Sequence, residues 1–152
     1  MAKTTEILVK DLLKPSRTIA RETDIRSALR LFTDEGEDVL SVVDEDGRLI
    51  GSVSEGSFIR LIKQEPITAM VNPAWYDSID EQTGARPVDS IMAKDITTLR
   101  GCDDIATALK VMCASGSRLL HVVDSEGRLQ GIIRMKAIFD RLLMMQPETI
   151  DE

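Results

Sequence analysis

Two cations, Arg134 and Lys136, stand at the start of a predicted helix in a chain whose net charge is -7. A strand-like run ends just before Arg134, and an apolar segment of helical spacing follows Lys136. Positive side chains oppose the positive end of a helix dipole, so this placement is unfavourable unless an anion shares the site. The pair therefore indicates either a phosphate- or carboxylate-binding site or ordinary solvated surface charges.

The other reactive side chains give little support for catalysis. His121 is the single histidine, and the sequence contains no P-loop, nucleophile elbow or HExxH motif. Acid–base chemistry would have to rely on one imidazole, so we predict no catalytic residues and no enzymatic activity. Lone histidines on strands are usually packed and hydrogen-bonded, and a ligand-contacting role for His121 stays open beside that interpretation.

Neither a metal site nor a disulfide framework is indicated. Cys102 and Cys113 are eleven residues apart, which is not a CxxC spacing, and His121 is the only other soft ligand. The acidic run from Asp44 to Asp46 could attract Mg²⁺ or Ca²⁺, but it lacks the ligand spacing of a Ca²⁺ loop. We therefore interpret it as a solvated turn.

The composition is that of a globular protein and argues against nucleic acid or an anionic membrane as a main partner, although a small anion could still bind locally. Hydrophobic residues make up 43% of the chain, charged residues 30%, and no basic cluster is present. Because binding to nucleic acid or to an anionic membrane depends on clustered Lys and Arg, we expect neither as a partner. The chain begins without an apolar signal core and has no run of about 18 to 20 apolar residues, which predicts a cytoplasmic protein.

The elements that must position these side chains occur twice. The run VLSVVDEDGRLIGSV begins at Val39, and LLHVVDSEGRLQGII begins at Leu119, an offset of 80 residues. Further upstream, Val9 corresponds to Val88 at an offset of 79, so one residue was gained between the two blocks. Halves of this size are too small to be stable alone, and we expect them to pack on each other.

Each copy predicts the order β-α-β-β-α, an α+β (α/β) fold. The first copy predicts a strand at 18–20, a helix capped within 22–24 that stops at Gly36, a hairpin of strands 39–43 and 48–53, and a helix opening at 54–57. The second copy repeats this with Asp103 or Asp104 as the cap and Gly116 as the stop. We assign residues 1–65 to the first motif, 66–87 to a connector, 88–146 to the second motif and 147–152 to a tail.

The connector carries the aromatic pair Trp75 and Tyr76 among prolines that interrupt regular structure. We expect this pair to pin the connector onto the body, in preference to forming a ligand lid or a partner-docking surface. Near the C-terminus, Leu142, Leu143 and Met144 belong to an apolar segment that is expected to be core or a self-association surface.

The repeated residues resemble a tandem pair of CBS (cystathionine-β-synthase) motifs, the Bateman module. The resemblance rests on Val88-Asp89-Ser90-Ile91-Met92, on Val42-Val43-Asp44 through Gly51, and on Val122-Val123-Asp124 through Gly131. It implies two units packed sheet to sheet about a pseudo-twofold axis. It also implies clefts that hold AMP, ADP, ATP or S-adenosylmethionine, although no cofactor is certain, and a regulatory role in a small stand-alone protein.

The family closes each motif with G-x-x-T-x-x-D, and both copies depart from it. Ser54 keeps the hydroxyl, which either contacts phosphate or caps its own helix, while Ser57 replaces the ribose-binding acid. Arg134 and Ala137 replace both residues in the second copy. With the cleft-lining positions that the family implies, the candidate ligand-binding residues are Thr18, Leu40, Ser41, Ser54, Ser57, Thr98, His121, Arg134 and Lys136.

Two functions of different classes follow from this resemblance. The first is a regulatory or sensor module that binds an adenosine nucleotide or a similar anion in a cleft between the motifs and signals to a partner protein not identified by the sequence. The alternative is a degenerate scaffold that dimerises or docks a partner without binding a nucleotide. A homodimer is expected in either case.

Overall fold

The computed structural model describes residues 7–63 and 84–145. These residues form two compact units. Within them, the first-motif unit comprises residues 16–63 and 84–96, and the second-motif unit comprises residues 7–15 and 97–145. Trp75 and Tyr76 lie outside the described residues, so their packing onto the body stays a prediction.

The first-motif unit has the predicted element order. Its elements are β1 (Thr18–Ile19), α1 (Ile25–Glu35), β2 (Val39–Val43), β3 (Leu49–Ser54) and α2 (Glu55–Lys63). The sheet order is β1-β2-β3, with β1 parallel and β3 antiparallel to β2. α1 begins because the Asp24 carboxylate accepts a hydrogen bond from the Ser27 N–H at 2.7 Å, and it ends at Gly36, whose φ is 71°.

The second-motif unit repeats this topology. Its elements are β4 (Thr98–Arg100), α3 (Ile105–Ser115), β5 (Leu119–Val123), β6 (Leu129–Arg134) and α4 (Met135–Met144), with sheet order β4-β5-β6. Of the two possible caps, Asp104 accepts from the Thr107 N–H at 2.8 Å, whereas Asp103 accepts from the Arg100 N–H in the preceding turn. The β-α-β-β-α prediction is therefore confirmed in both copies.

Each unit has its own apolar core between its sheet and its helices. The side chains that share these positions are Ile25, Leu40, Val42, Val53 and Phe58 in the first-motif unit, and Ile105, Leu120, Val122, Ile133 and Ile138 in the second. Successive side chains of a strand point to opposite faces of a sheet. Ser41 and His121, which alternate with these core residues, therefore face away from the helices of their own units.

The segment that precedes each motif in the sequence belongs to the unit of the other motif. Lys14 pairs with Ile132 of β6 through two backbone hydrogen bonds, with nitrogen-to-oxygen distances of 2.8 and 2.9 Å. Ala93 pairs in the same way with Ser52 of β3, at 2.8 and 3.0 Å. The predicted boundaries follow the repeat along the sequence, whereas in space the two leading segments are exchanged.

A glycine on each outer strand makes room for the exchanged segment. A Cβ atom added at Gly131 would overlap the Lys14 carbonyl oxygen and lie 2.9 Å from Leu13 Cδ1. A Cβ atom added at Gly51 would overlap Met92 Sδ and lie 2.8 Å from its Cγ. The obstacle is backbone in the first case and a flexible side chain in the second, so the two glycines differ in how replaceable they are.

We expect Gly131→Ala to lower the free energy of unfolding by about 3 kcal/mol, and Gly51→Ala to lower it by only about 1 kcal/mol. The reason is that the Met92 side chain can rotate away, whereas the Lys14 carbonyl is fixed by its own pairing with Ile132. Urea denaturation of the full chain measures both changes.

Gly56→Ala is the matched control, because Gly56 lies in α2 and an added Cβ would make only ordinary contacts, the nearest at 3.6 Å. This change should raise stability by up to about 1 kcal/mol through helix propensity. Equal losses at Gly51 and Gly131 would contradict the proposed difference between backbone and side-chain obstacles.

Candidate functional site

One face of the first-motif sheet carries a row of hydroxyl groups. Thr18 on β1, Ser41 on β2 and Ser52 on β3 are neighbours in register. The three side chains share the face that points away from the core, and we call them the hydroxyl face. Ser41 is fully buried, and its Oγ lies 2.6 Å from Ser16 Oγ in a hydrogen bond that either group can donate. The sequence analysis did not identify Ser16 or Ser52.

Two further candidates lie where β3 meets α2. Ser54 is half-buried at this junction, and its backbone N–H donates to Ser57 Oγ at 3.1 Å. The Ser57 side chain is 1% exposed and points inward. This contact is the returning half of a capping box, in which a side chain in the first helical turn accepts from the backbone before the helix. The hydroxyl that replaces the family's acid thus serves the helix start.

Leu40 is also among the predicted site residues, but its side chain lies elsewhere. It is fully buried in the core of the first-motif unit, on the sheet face that packs against the helices. Since alternate residues of a strand face opposite sides, the Leu40 side chain points away from the hydroxyl face. Its observed role is packing.

The corresponding face of the second-motif sheet has a different chemistry. Thr98 on β4 and His121 on β5 are register neighbours, and Ile132 of β6 completes the row. Arg134, two residues beyond Ile132, pairs with Leu119 and immediately precedes α4 with an extended backbone. By strand alternation the structure brings Thr98, His121 and Arg134 to one face, which we call the cationic face.

Lys136 lies apart from this face. Its Nζ forms an ion pair with Asp140 Oδ2 at 3.0 Å, one helical turn along α4, and its side chain is 83% exposed. Such exposed pairs contribute at most a few tenths of a kcal/mol, about 0.3 to 0.5. Asp140 therefore engages the Lys136 charge on the helix surface, and Arg134 is the cation that the sheet itself positions.

His121 is the most deeply buried ionisable side chain on the cationic face. It is 4% exposed, and its Nε2 has no hydrogen-bond partner within the described residues. Burial lowers the pKa of His121 from 6.5 to about 4, because the charged imidazolium loses its hydration. The imidazole is therefore neutral at physiological pH and adds polarity but no charge to the face.

A cavity of about 620 Å³ lies within the first-motif unit, at the end of the sheet opposite the β3–α2 junction. Its charged lining consists of one guanidinium and four carboxylates, those of Arg21, Glu22, Asp44, Glu45 and Asp46. Hydrogen bonding from the Arg48 backbone N–H lowers the pKa of Asp44, which keeps this carboxylate ionised. The cavity therefore repels anions.

The described residues meet neither the requirements of a metal site nor those of a membrane-spanning helix. Within residues 7–63 and 84–145, no group of three or more His, Cys, Asp or Glu side chains is arranged to hold a metal ion. None of the helices in the same ranges is both long and apolar enough to cross a bilayer.

Comparison with known proteins agrees with this architecture. The CBS domain profile matches residues 9–64 and 88–144. A CBS domain-containing protein of Dictyostelium discoideum is 30% identical over 139 residues, which cover 91% of this chain and 92% of that protein.

Solved structures show the same fold at lower identity. The protein CBSX2, a CBS-pair protein known from Arabidopsis thaliana, was crystallised in complex with AMP; it has a TM-score of 0.74 and 22% identity over 93% of this chain and 99% of its own. The CBS domain pair of protein MJ0100 was crystallised with 5'-methylthioadenosine and S-adenosylmethionine, and it has a TM-score of 0.67 and 22% identity over 90% and 98%. Because the two profile matches span most of its length, this chain belongs to the CBS domain family and carries a tandem pair of CBS motifs.

Proposed function

We propose that this protein is a regulatory CBS-pair module that binds an adenosine nucleotide or a similar anion at its second motif and signals its occupancy to a partner protein. The observation that carries the proposal is the cationic face, where Thr98, His121 and Arg134 share one side of the sheet beside the start of α4. Backbone N–H groups at a helix start favour phosphate, and a guanidinium binds it with two parallel hydrogen bonds.

The three residues of this face differ in charge and therefore suit different parts of a nucleotide. Arg134 carries a planar guanidinium that can bind two oxygens at once, so it suits the phosphate. His121 is kept neutral by burial and Thr98 carries a hydroxyl, which suits uncharged polar groups such as those of a sugar or base. The first motif offers hydroxyl groups and, at the far end of its sheet, a cavity lined by four carboxylates and one guanidinium. These contrasts favour the second motif as the anion site.

The comparisons support the choice of ligand class. Proteins that share this fold have been crystallised with AMP, and with 5'-methylthioadenosine and S-adenosylmethionine. Adenosine compounds are therefore the first probes for this chain. The family's ribose-binding acid is absent from both motifs here, so we expect ribose to contribute less to affinity than phosphate does.

The second candidate function is a scaffold that dimerises or docks a partner without binding a nucleotide. One observation favouring it is that Ser57, at the position of the family's acid, is buried and engaged by the Ser54 N–H. The other is an exposed apolar surface on α4, where Phe139, Leu143 and Met144 are 49%, 67% and 80% exposed. Leu142, expected with Leu143 and Met144 to be either core or a self-association surface, packs against the core.

The regulatory proposal predicts a thermal shift with AMP, ADP, ATP or S-adenosylmethionine that depends on Arg134. At about a hundredfold excess over Kd, binding to the native state adds roughly 2.7 kcal/mol to stability. Arg134→Gln should weaken binding of the best nucleotide by about tenfold or more, because a hydrogen-bonded charge is lost. Calorimetric titration of the full chain measures Kd directly.

Lys136→Gln is the matched control, since it removes the same charge two residues away, from a side chain that lies apart from the cationic face. We expect it to change Kd by less than about twofold. No shift with any of the four compounds would favour the scaffold. Equal losses in the Arg134 and Lys136 variants would mean that general charge, and not the cationic face, attracts the ligand.

Acid should destabilise the protein through His121. Its pKa in the folded state is about 4, below the value of 6.5 for an exposed imidazole, so the unfolded chain binds the proton first as pH falls. The contribution of neutral His121 is complete above pH 6.5 and is lost towards pH 4. We expect a loss of about 2 kcal/mol between about pH 7 and pH 5 in urea unfolding.

His121→Ser, which installs the residue found at Ser41 in the first motif, should flatten this pH dependence whatever its effect on stability at neutral pH. The comparison therefore uses the slope against pH and not the absolute value. If the variant kept the wild-type slope, His121 would not be the group responsible.

The exposed surface of α4 leads us to propose a homodimer. Leu143→Asp should convert the dimer to a monomer in analytical ultracentrifugation, because a carboxylate is costly to bury in an apolar contact. Leu143 is 67% exposed, so the folded monomer should tolerate the change, with less than about 0.5 kcal/mol lost. A wild-type chain that sediments as a monomer would contradict this expectation.

A further inference from the structure

Two short links carry the chain from an exchanged segment into the first strand of the next motif. The first link runs from Lys14, paired with Ile132, to Thr18 in β1, with three residues between them. The second link runs from Ala93, paired with Ser52, to Thr98 in β4, with four residues between them. The residue gained between the repeats, visible as the change of offset, thus lies in the second link.

The first link is anchored firmly where it leaves the second-motif unit. The Lys14 N–H donates to the Ile132 carbonyl at 2.8 Å, and the Ile132 N–H donates to the Lys14 carbonyl at 2.9 Å. The neighbouring Gly131 lets the Lys14 carbonyl approach more closely than any side chain would permit. Ile132 lies two residues before Arg134, so this anchor adjoins the cationic face.

The other end of the first link is anchored to the central strand of the first-motif unit. Ser16 Oγ and the buried Ser41 Oγ are 2.6 Å apart, and the Ser41 N–H donates to the Arg17 carbonyl at 2.8 Å. Ser41 is the middle residue of the hydroxyl face. A movement of this residue therefore acts directly on the link.

Proline makes the first link stiff between its two anchors. Pro15 fixes its own φ and restricts Lys14, the residue before it, to extended conformations. The second link has no proline and is one residue longer. A stiff three-residue link transmits a displacement that a longer chain of ordinary residues absorbs.

We propose that the first link couples the two motifs: displacement of Ser41 on the hydroxyl face alters the pairing of Lys14 with Ile132 and so reaches the residues before Arg134. The regulatory role of this coupling rests on the proposed function, because a ligand bound on either face would change the ligand affinity of the other face. The coupled elements are named pairs of hydrogen bonds, so the coupling can be measured without any ligand.

The test is amide hydrogen exchange, resolved by NMR, on the full chain and on single and double variants. Ser41→Ala removes the hydroxyl anchor and should lower protection of the Lys14 and Ile132 amides about three- to tenfold relative to the Leu120 amide, which reports the core of the same unit. Ser16→Ala removes the same hydrogen bond by changing its half-buried partner and should reproduce the effect. This variant replaces Ser41→Ala in the test if Ser41→Ala disturbs folding. In a Pro15→Gly background, Ser41→Ala should change these ratios less than about twofold.

The mirror experiment uses the longer link. His121→Ser alters the residue equivalent to Ser41, and the Ala93 and Ser52 amides should change less than about twofold relative to Leu40. The proposal is overturned if Lys14 and Ile132 merely follow Leu120, if the effect persists with Pro15→Gly, or if the mirror pair responds as strongly. Failure of every adenosine compound to bind would defeat the proposed function and leave this exchange result standing.

Discussion

The exchange of leading segments is the constraint on which the rest of the structure depends. An unpaired outer strand is a liability, because its N–H and C=O groups invite pairing with other chains. Here Lys14 pairs with β6 and Ala93 pairs with β3, at one bridge each, and each of these residues comes from the half of the sequence that carries the other motif. Gly51 and Gly131 lie where these segments approach the outer strands, and an added Cβ atom would overlap them. Neither repeat therefore contains all the residues that its own sheet requires.

The two repeats have kept the residues that this architecture needs and have diverged on the faces that it leaves available. Both retain an aspartate cap, a left-handed glycine after the helix and a glycine turn, with φ near 84° at Gly47 and 83° at Gly127. At the equivalent face positions, however, serine stands in one copy and histidine or arginine in the other. Duplication has thus preserved a scaffold while separating a neutral face from a cationic one. This separation is why the two motifs are expected to differ in ligand chemistry.

Most of the local structure follows from local signals, and most of the site does not. Asp24, Gly36 and Gly116 act within a few residues of their position, so the sequence alone predicts where the helices begin and end. The pairing of Lys14 with Ile132 joins residues far apart in the chain, and no sequence pattern near either residue predicts it. Side-chain direction is equally hidden: the inward turn of Ser57 and the pairing of Lys136 with Asp140 depend on rotamers that composition and spacing do not determine. The change of offset between the repeats was the one sequence signal of the links, and it required the structure to show which segment it lengthened.

The two central-strand positions show how a single link can give duplicated sites different roles. Ser41 has a hydrogen-bond partner because Ser16 lies in the short link that passes beside it. Because the offset changes within the links, Ser16 corresponds to Asp95 or Ile96, and neither of these gives His121 Nε2 a hydrogen-bond partner. His121 is accordingly buried with Nε2 unpartnered among the described residues and is held neutral, at a cost that the first motif does not bear. The central side chain of the hydroxyl face is therefore anchored by a hydrogen bond, whereas the central side chain of the cationic face is the one that gains from a new hydrogen bond.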